Sequence, residues 1–232
     1  MWNKKIKKTI FTLALNNWQP KICEITFPLM KAYAEKIGAE FYVIDKRKFP
    51  EWKSPTYEKF QIYELGKEMN NDWNIYIDAD ALVHPEMLDV TVLINKDTVM
   101  HNGCDMANIR WKYDRVFLRD GRHIGSCNWF TVGSDWCIDL WKPLDDLTQD
   151  EAYSYIYPTV EETNTVITKE HLIDDYVCSR NIAKYGLKYI GFADLLTKMN
   201  MQDSFLLWHQ YTMPPEQKLT EMKKILKQWN LI

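Results

Sequence analysis

Asp78 and Asp80 stand one residue apart at the end of an apolar run, within NIYIDADALVHPEM at residues 74–87. In an extended backbone, side chains at i and i+2 project to the same side, so both carboxylates face one locus. Two close carboxylates repel, or one of them takes up a proton, unless a cation lies beside them. A hard divalent cation with oxygen ligands, Mn²⁺ or Mg²⁺, meets that need and keeps coordination positions open for phosphate oxygens. A pair of solvated acids at a strand end is the plain alternative. The apolar IYID before the pair and ALV after it argue for burial instead.

The pair is positioned by what precedes it. Residues 7–15 read as a strand. Pro20 then opens a helix, in which Ile22, Ile25, Leu29, Tyr33 and Ile37 recur at helical spacing before Gly38 closes it. AEFYVID at 39–45 is a second strand, residues 56–70 an amphipathic helix, and WNIYID a third strand. This β-α-β-α-β order predicts an α/β fold with a mostly parallel central sheet flanked by helices. Ligands of such sheets bind off the carboxyl ends of the strands, where the acids lie. The second half is less regular. Residues 101–126 read as a functional or covering loop, 127–133 as a short strand, and 134–144 and 164–184 as helices. LKYIGF at 187–192 and SFLLWHQY at 204–211 are further strands. Pro214-Pro215 open a terminal helix with Leu219, Met222, Ile225, Leu226 and Trp229 on one face.

Composition narrows the partners. With 232 residues, 46% hydrophobic and 14% aromatic, the chain buries a core and is not disordered. A net charge of −3 with both signs interspersed calls for neither nucleic acid nor an anionic membrane. Lys4, Lys5, Lys7 and Lys8 leave a peripheral membrane contact open. The apolar stretch from Ile10 to Leu15 is too short for a signal peptide, and no run reaches the length of a membrane span. The five cysteines contain no C-x-x-C pair, which argues against a disulfide framework or structural zinc and for a reducing, cytoplasmic setting. Nothing in the sequence sets an oligomeric state.

A phosphatase of the haloacid dehalogenase type also carries two acids after an apolar strand. That motif continues with Gly-Thr on a first strand, whereas here Ala81-Leu82 follow and two predicted strands precede. The closer resemblance is to glycosyltransferases of the GT-A fold. Residues 57–85 resemble that superfamily's lysine-bearing helix, apolar strand and D-x-D segment. NWFTVGSDWCIDLW at 128–141 resembles a block of the galactosyl/mannosyltransferase group, and the acid pair equally resembles the glycogenin-like group. The similarity covers most of residues 7–211, and it departs where Phe130-Thr131-Val132 separate Asn128 from Gly133.

The resemblance implies a single GT-A-type domain over 1–232, its nucleotide-sugar-binding half first (about 1–100), then an acceptor and catalytic half (about 101–211) and a C-terminal helix (212–232). It implies metal-dependent transfer of a hexose from a nucleoside-diphosphate sugar, UDP- or GDP-linked, to a glycan or other hydroxyl acceptor, with retention preferred. The metal ligands implied are Asp78, Asp80 and His209, with His171 and His101 as alternatives and His84 lying past the metal. Thr12, Leu13, Ala14 and Asn16 fall at the donor site, as do Ala79, Lys59 and Lys218. Asn128, Asp174 and Asp175 are the catalytic candidates. Neighbouring helical positions point about 100° apart, so one of the two acids is expected to face the cleft, Asp174 in preference. In an inverting route it would act as base; in a retaining route Asn128 or an acid stabilises the oxocarbenium-like state. Trp111, Trp129, Trp136 and Tyr155 are candidates to stack on sugar faces. A metal-dependent phosphatase or nucleotide hydrolase, and a nucleotide-sugar-binding module without turnover, are the competing readings.

Overall fold

Alternation along the strands builds two cores. In β1 (Lys8–Leu13), Ile10 sinks into one apolar cluster and its neighbour Phe11 into another, on the opposite face of the sheet. The computed structural model describes residues 5–104, 125–156, 159–160, 166–201, 207–210 and 213–232. Helix α1 (Pro20–Ile37) follows, stopped by Gly38 at φ 67°, a left-handed cap that glycine adopts without penalty. Then come β2 (Glu40–Ile44), α2 (Ile62–Glu68) and β3 (Trp73–Ile77). In β3, Ile75 and Ile77 join the cluster of Ile10, and Tyr76 joins that of Phe11.

After the short β4 (Leu82–Val83), β5 (Thr98–Cys104) and β6 (Gly125–Ser134) extend the sheet. Helix α3 (Gln149–Ser154), the antiparallel pair β7 (Thr159–Val160) and β8 (Val166–Ile167), and α4 (Lys169–Lys184) follow. The described chain continues through β9 (Lys188–Gly191), α5 (Phe192–Met199), β10 (Leu207–Trp208) and α6 (Pro215–Gln228). The main sheet has the order β2-β1-β3-β6-β5-β9. β6 alone of these strands runs against the rest, pairing antiparallel with both β3 and β5. The sheet is therefore mostly parallel, as the sequence order predicts. Among the described residues, no helix is long and apolar enough to cross a membrane.

Several boundaries differ from expectation. The helix expected over 56–70 begins as a 3-10 segment, Pro55–Gln61, and becomes α-helical only at Ile62. The helix expected within 134–144 is also 3-10, Asp135–Trp141, with Cys137 out of helical geometry. The helix expected from 164 starts at Lys169, because the Thr168 side chain caps it by accepting the His171 N–H. The loop expected from 101 opens as strand through Cys104, and residues 105–124 lie outside the described set. Helices α3 and α5 were not anticipated, although Thr148 and Glu151 form a capping box at the start of α3.

Candidate functional site

The two acids sit on a tight turn at the carboxyl end of β3. The Asp78 N–H donates to the Trp129 carbonyl of β6 at 2.8 Å, and the Ala81 N–H donates back to the Asp78 carbonyl at 2.9 Å. Between the acids, the Ala79 carbonyl accepts the buried hydroxyl of Thr26 from α1 at 2.6 Å. Beyond the turn, β4 pairs antiparallel with β10, setting Trp208 opposite Leu82. The next residue, His209, is thereby carried back alongside Asp80, more than a hundred residues away in sequence.

The carboxylate oxygens divide by partner. Asp78 Oδ1 accepts the Tyr76 hydroxyl at 2.6 Å and lies 3.1 Å from the Lys59 ammonium, while Oδ2 is 3.7 Å from His209 Nε2. Asp80 Oδ2 is paired with the Lys218 ammonium, while Oδ1 is 3.2 Å from His209 Nε2. Each acid has a lysine as a cation beside it. One oxygen of each remains turned toward His209, and one atom from each of the three residues falls within 4.8 Å of the others. Adjacent ligands on an ion with metal–ligand distances near 2.1 Å lie about 3 Å apart, so this triad fits an ion with small side-chain adjustments. Two carboxylate oxygens and an imidazole suit Mn²⁺ or a related divalent ion.

Burial sharpens the electrostatics. It disfavours charge on Asp80, yet His209 and then Lys218 hold its carboxyl well below the usual carboxylate range. Burial likewise works against the Lys59 ammonium, and Asp174 followed by Asp78 overcomes it, raising Lys59 well above the ordinary lysine value. Tyr76, raised by burial and then by Asp78, keeps its proton and acts as a donor to Asp78. Lys59 is 6% exposed and bonds Asp174 Oδ2 at 2.6 Å and the Asn128 carbonyl at 3.4 Å. Asn128 is in turn locked to α4. Its backbone N–H donates to Asp175 Oδ1 at 2.9 Å, and its side-chain amide donates to the Asp174 carbonyl at 2.9 Å.

These groups line a cavity of about 560 Å³, within the range of small-molecule sites. It gathers Leu13, Lys59, Asp78, Ala79, Asp80, Asn128, Asp174, Asp175, His209 and Lys218. Both Asp174 and Asp175 border it, so the expectation that only one would do so is corrected: α4 approaches the cavity broadly enough for adjacent positions to line it. Thr12, Ala14 and Asn16 do not line it. Thr12 alternates with Leu13 along β1, Ala14 is buried with its N–H bonded to the Ile44 carbonyl, and Asn16 sits in a 3-10 turn at φ 51°.

Trp129 reaches the cavity and stacks on His209, ring centroids 4.9 Å apart. Trp136 is exposed away from it, Tyr155 stacks on Tyr176, and Trp111 lies outside the described residues. His171 is on the cavity wall, whereas His84 packs against Trp229 and His101 against Tyr189. Three contributors escaped the sequence reading. Tyr76 was legible in principle, since it precedes Asp78 by two residues at the end of β3. Thr26 carried no signal beyond its place in α1. Trp18 lines the cavity at 40% exposure among Asn16, Asn17 and Gln19, all at positive φ (51°, 57° and 45°). Such left-handed non-glycine residues cost energy and concentrate at functional sites.

No protein-family model and no curated protein matches the chain in sequence. Among solved structures, a glycosyltransferase involved in glycosylation of the major capsid of PBCV-1 aligns with 94% of this chain and 98% of its own, at 13% identity and a TM-score of 0.52. The fold is of the GT-A type. A STIV protein aligns at 12% identity and TM-score 0.40, covering 81% of this chain and 82% of its own. A Drosophila β-1,4-galactosyltransferase 7, solved with manganese, UDP-Gal and xylobiose, aligns at 10% identity and TM-score 0.39, covering 80% and 65%. At those scores neither adds to the assignment, which rests on the first likeness and on the strand order.

Proposed function

We propose that this chain is a metal-dependent glycosyltransferase that moves a hexose from a nucleoside-diphosphate sugar to a hydroxyl acceptor such as a glycan. The observation that carries the reading is the convergence of Asp78 Oδ2, Asp80 Oδ1 and His209 Nε2, flanked by two lysines, at the carboxyl end of a GT-A-type sheet. A Mn²⁺ or Mg²⁺ ion held by these three residues supplies Lewis-acid stabilisation of the diphosphate leaving group, typically several kcal/mol in such sites.

The chain's own groups do the rest. Lys218, in the first turn of α6, and the positive end of that helix's dipole suit diphosphate oxygens. Leu13, at the end of β1, and Trp18, after the 3-10 turn that follows it, offer an apolar edge and an indole face to the nucleobase. Asn128, Asp175, Trp129 and His171 line the same cavity, and we assign the first two to the transferring sugar and the last two to the acceptor. Asp174, 3% exposed and bonded to Lys59, serves better as that lysine's counter-ion than as a base. A retaining route needs no strong base, so this pairing supports retention. The first 100 residues then form the donor half, later segments the acceptor half, and the C-terminal helix returns Lys218 to the donor. The free thiols of Cys137 and Cys178 fit a cytoplasmic setting.

A thermal-shift screen of UDP and GDP with and without Mn²⁺ tests the donor assignment. One diphosphate should raise the melting temperature only with Mn²⁺, since a ligand of the native state stabilises it by mass action. Asp80→Asn should abolish the shift. Absence of a shift with every diphosphate and metal would count against the proposal.

A further inference from the structure

The two lysines beside the acids are held differently. Lys59 is tethered three ways, to Asp174, Asp78 and the Asn128 carbonyl. The Lys218 ammonium has Asp80 as its one partner among the described residues, although the side chain is only 5% exposed. Its ammonium sits on Oδ2 of the carboxylate whose Oδ1 faces His209. An ion on Oδ1 and an ammonium on Oδ2 of the same carboxylate lie roughly 4–5 Å apart, where two positive charges repel, and more strongly for burial. Lys218 stands in the first turn of α6, where the helix dipole favours an anion. An arriving diphosphate therefore offers the ammonium a partner within reach of its own stem.

We propose that Lys218 is the resident counter-cation of Asp80 and is handed over to the diphosphate, so that metal and diphosphate bind interdependently and the metal alone binds weakly. The proposal rests on the transferase reading and deepens it. In physical terms, Lys218 keeps the buried acid neutralised between turnovers and suppresses ion binding to a site without donor. When diphosphate arrives, the lysine changes partner, Asp80 is left to the ion, and each ligand raises the affinity of the other by the same factor.

The test is calorimetric titration of Mn²⁺ into the full chain, alone and with saturating inorganic pyrophosphate or UDP, for wild type, Lys218→Met and Lys224→Met. Lys224 is a mostly exposed lysine of the same helix, paired with Glu221, and serves as the control. Wild type and the control should bind Mn²⁺ weakly alone and at least tenfold more tightly with pyrophosphate or UDP. Lys218→Met should bind Mn²⁺ alone about tenfold more tightly than wild type, bind metal-free pyrophosphate about tenfold more weakly, and gain more in melting temperature from Mn²⁺. That gain distinguishes competition from a structural role, because a merely structural lysine leaves the variant less stable and no better at binding metal. If wild type binds Mn²⁺ and diphosphate but Lys218→Met binds Mn²⁺ no more tightly, the handover is overturned and the transferase reading stands. If neither protein binds Mn²⁺ with or without diphosphate, both are overturned.

Discussion

The hydroxyl of Thr26 donates to the carbonyl of Ala79 at 2.6 Å, tying α1 to the peptide between the two acids. Neither residue touches the triad through its side chain, yet this bond fixes the plane of the turn that aims both carboxylates. Thr26→Val keeps the shape and leaves a buried carbonyl unpaired, which costs about 1–3 kcal/mol. Urea denaturation should show that loss, and Mn²⁺ affinity in the presence of diphosphate should fall severalfold. Thr26→Ser should restore both.

Lys59, itself buried, lies between two acids, Asp78 and Asp174. Lys59→Met leaves Asp174, 3% exposed, without its cation, and breaking a buried pair from one side costs about 3–5 kcal/mol. Adding Asp174→Asn removes the stranded charge, so the double variant should be more stable than Lys59→Met alone. A denaturation cycle over the four proteins checks this.

Acid stability should report on a pair far from the cavity. Hydrogen bonding from Arg180, opposed by slight burial and aided by Lys184, lowers the Asp146 carboxyl to about 2. Because the folded value is depressed, the contribution is present above the ordinary carboxylate value near 3.8 and is lost as pH falls toward 2. Asp146 is 41% exposed beside an Arg180 that is 15% exposed, so solvent screening holds the pair's worth to about 1 kcal/mol at most. Asp146→Asn should lower stability at pH 6 by that amount or less and converge with wild type near pH 2.

Gly133 has a packing reason. A Cβ there would lie 3.0 Å from the ring of Trp141, which is 2% exposed. Gly133→Ala should therefore cost about 1–3 kcal/mol by overpacking, with little change in diphosphate affinity. Thermal denaturation and a diphosphate titration separate the two effects.

Much of this was legible in the sequence because the informative signals are local. The β-α-β-α-β order, the apolar IYID run and the paired acids pointed to the sheet and to the end at which the cavity lies. The resemblance placed His209 and Lys218 near the acids, but not how they arrive. That depends on the two-residue pairing of β4 with β10, too short to leave a pattern, and on the packing of α6 against α1 through Ile22, Met222 and Leu226. The same limit hid Thr26, whose role is one hydrogen bond across 53 positions. Helical periodicity also could not separate α-helix from 3-10 segment at Pro55–Gln61, where the side chains face the same core. The lysine partners of Asp78 and Asp80 changed the physical account most. Each acid has a lysine partner, and the two oxygens the lysines leave face His209.

The most direct test of the central claim is turnover of nucleoside-diphosphate sugars by the full chain with Mn²⁺, with the released nucleoside diphosphate and sugar both measured. The expected result is metal-dependent release from one donor class, abolished by EDTA and reduced at least about 100-fold in Asp80→Asn, with no phosphate released from simple monoesters. Release of phosphate from monoesters would contradict the account in favour of a phosphatase. Donor binding without product under any metal would leave a binding module.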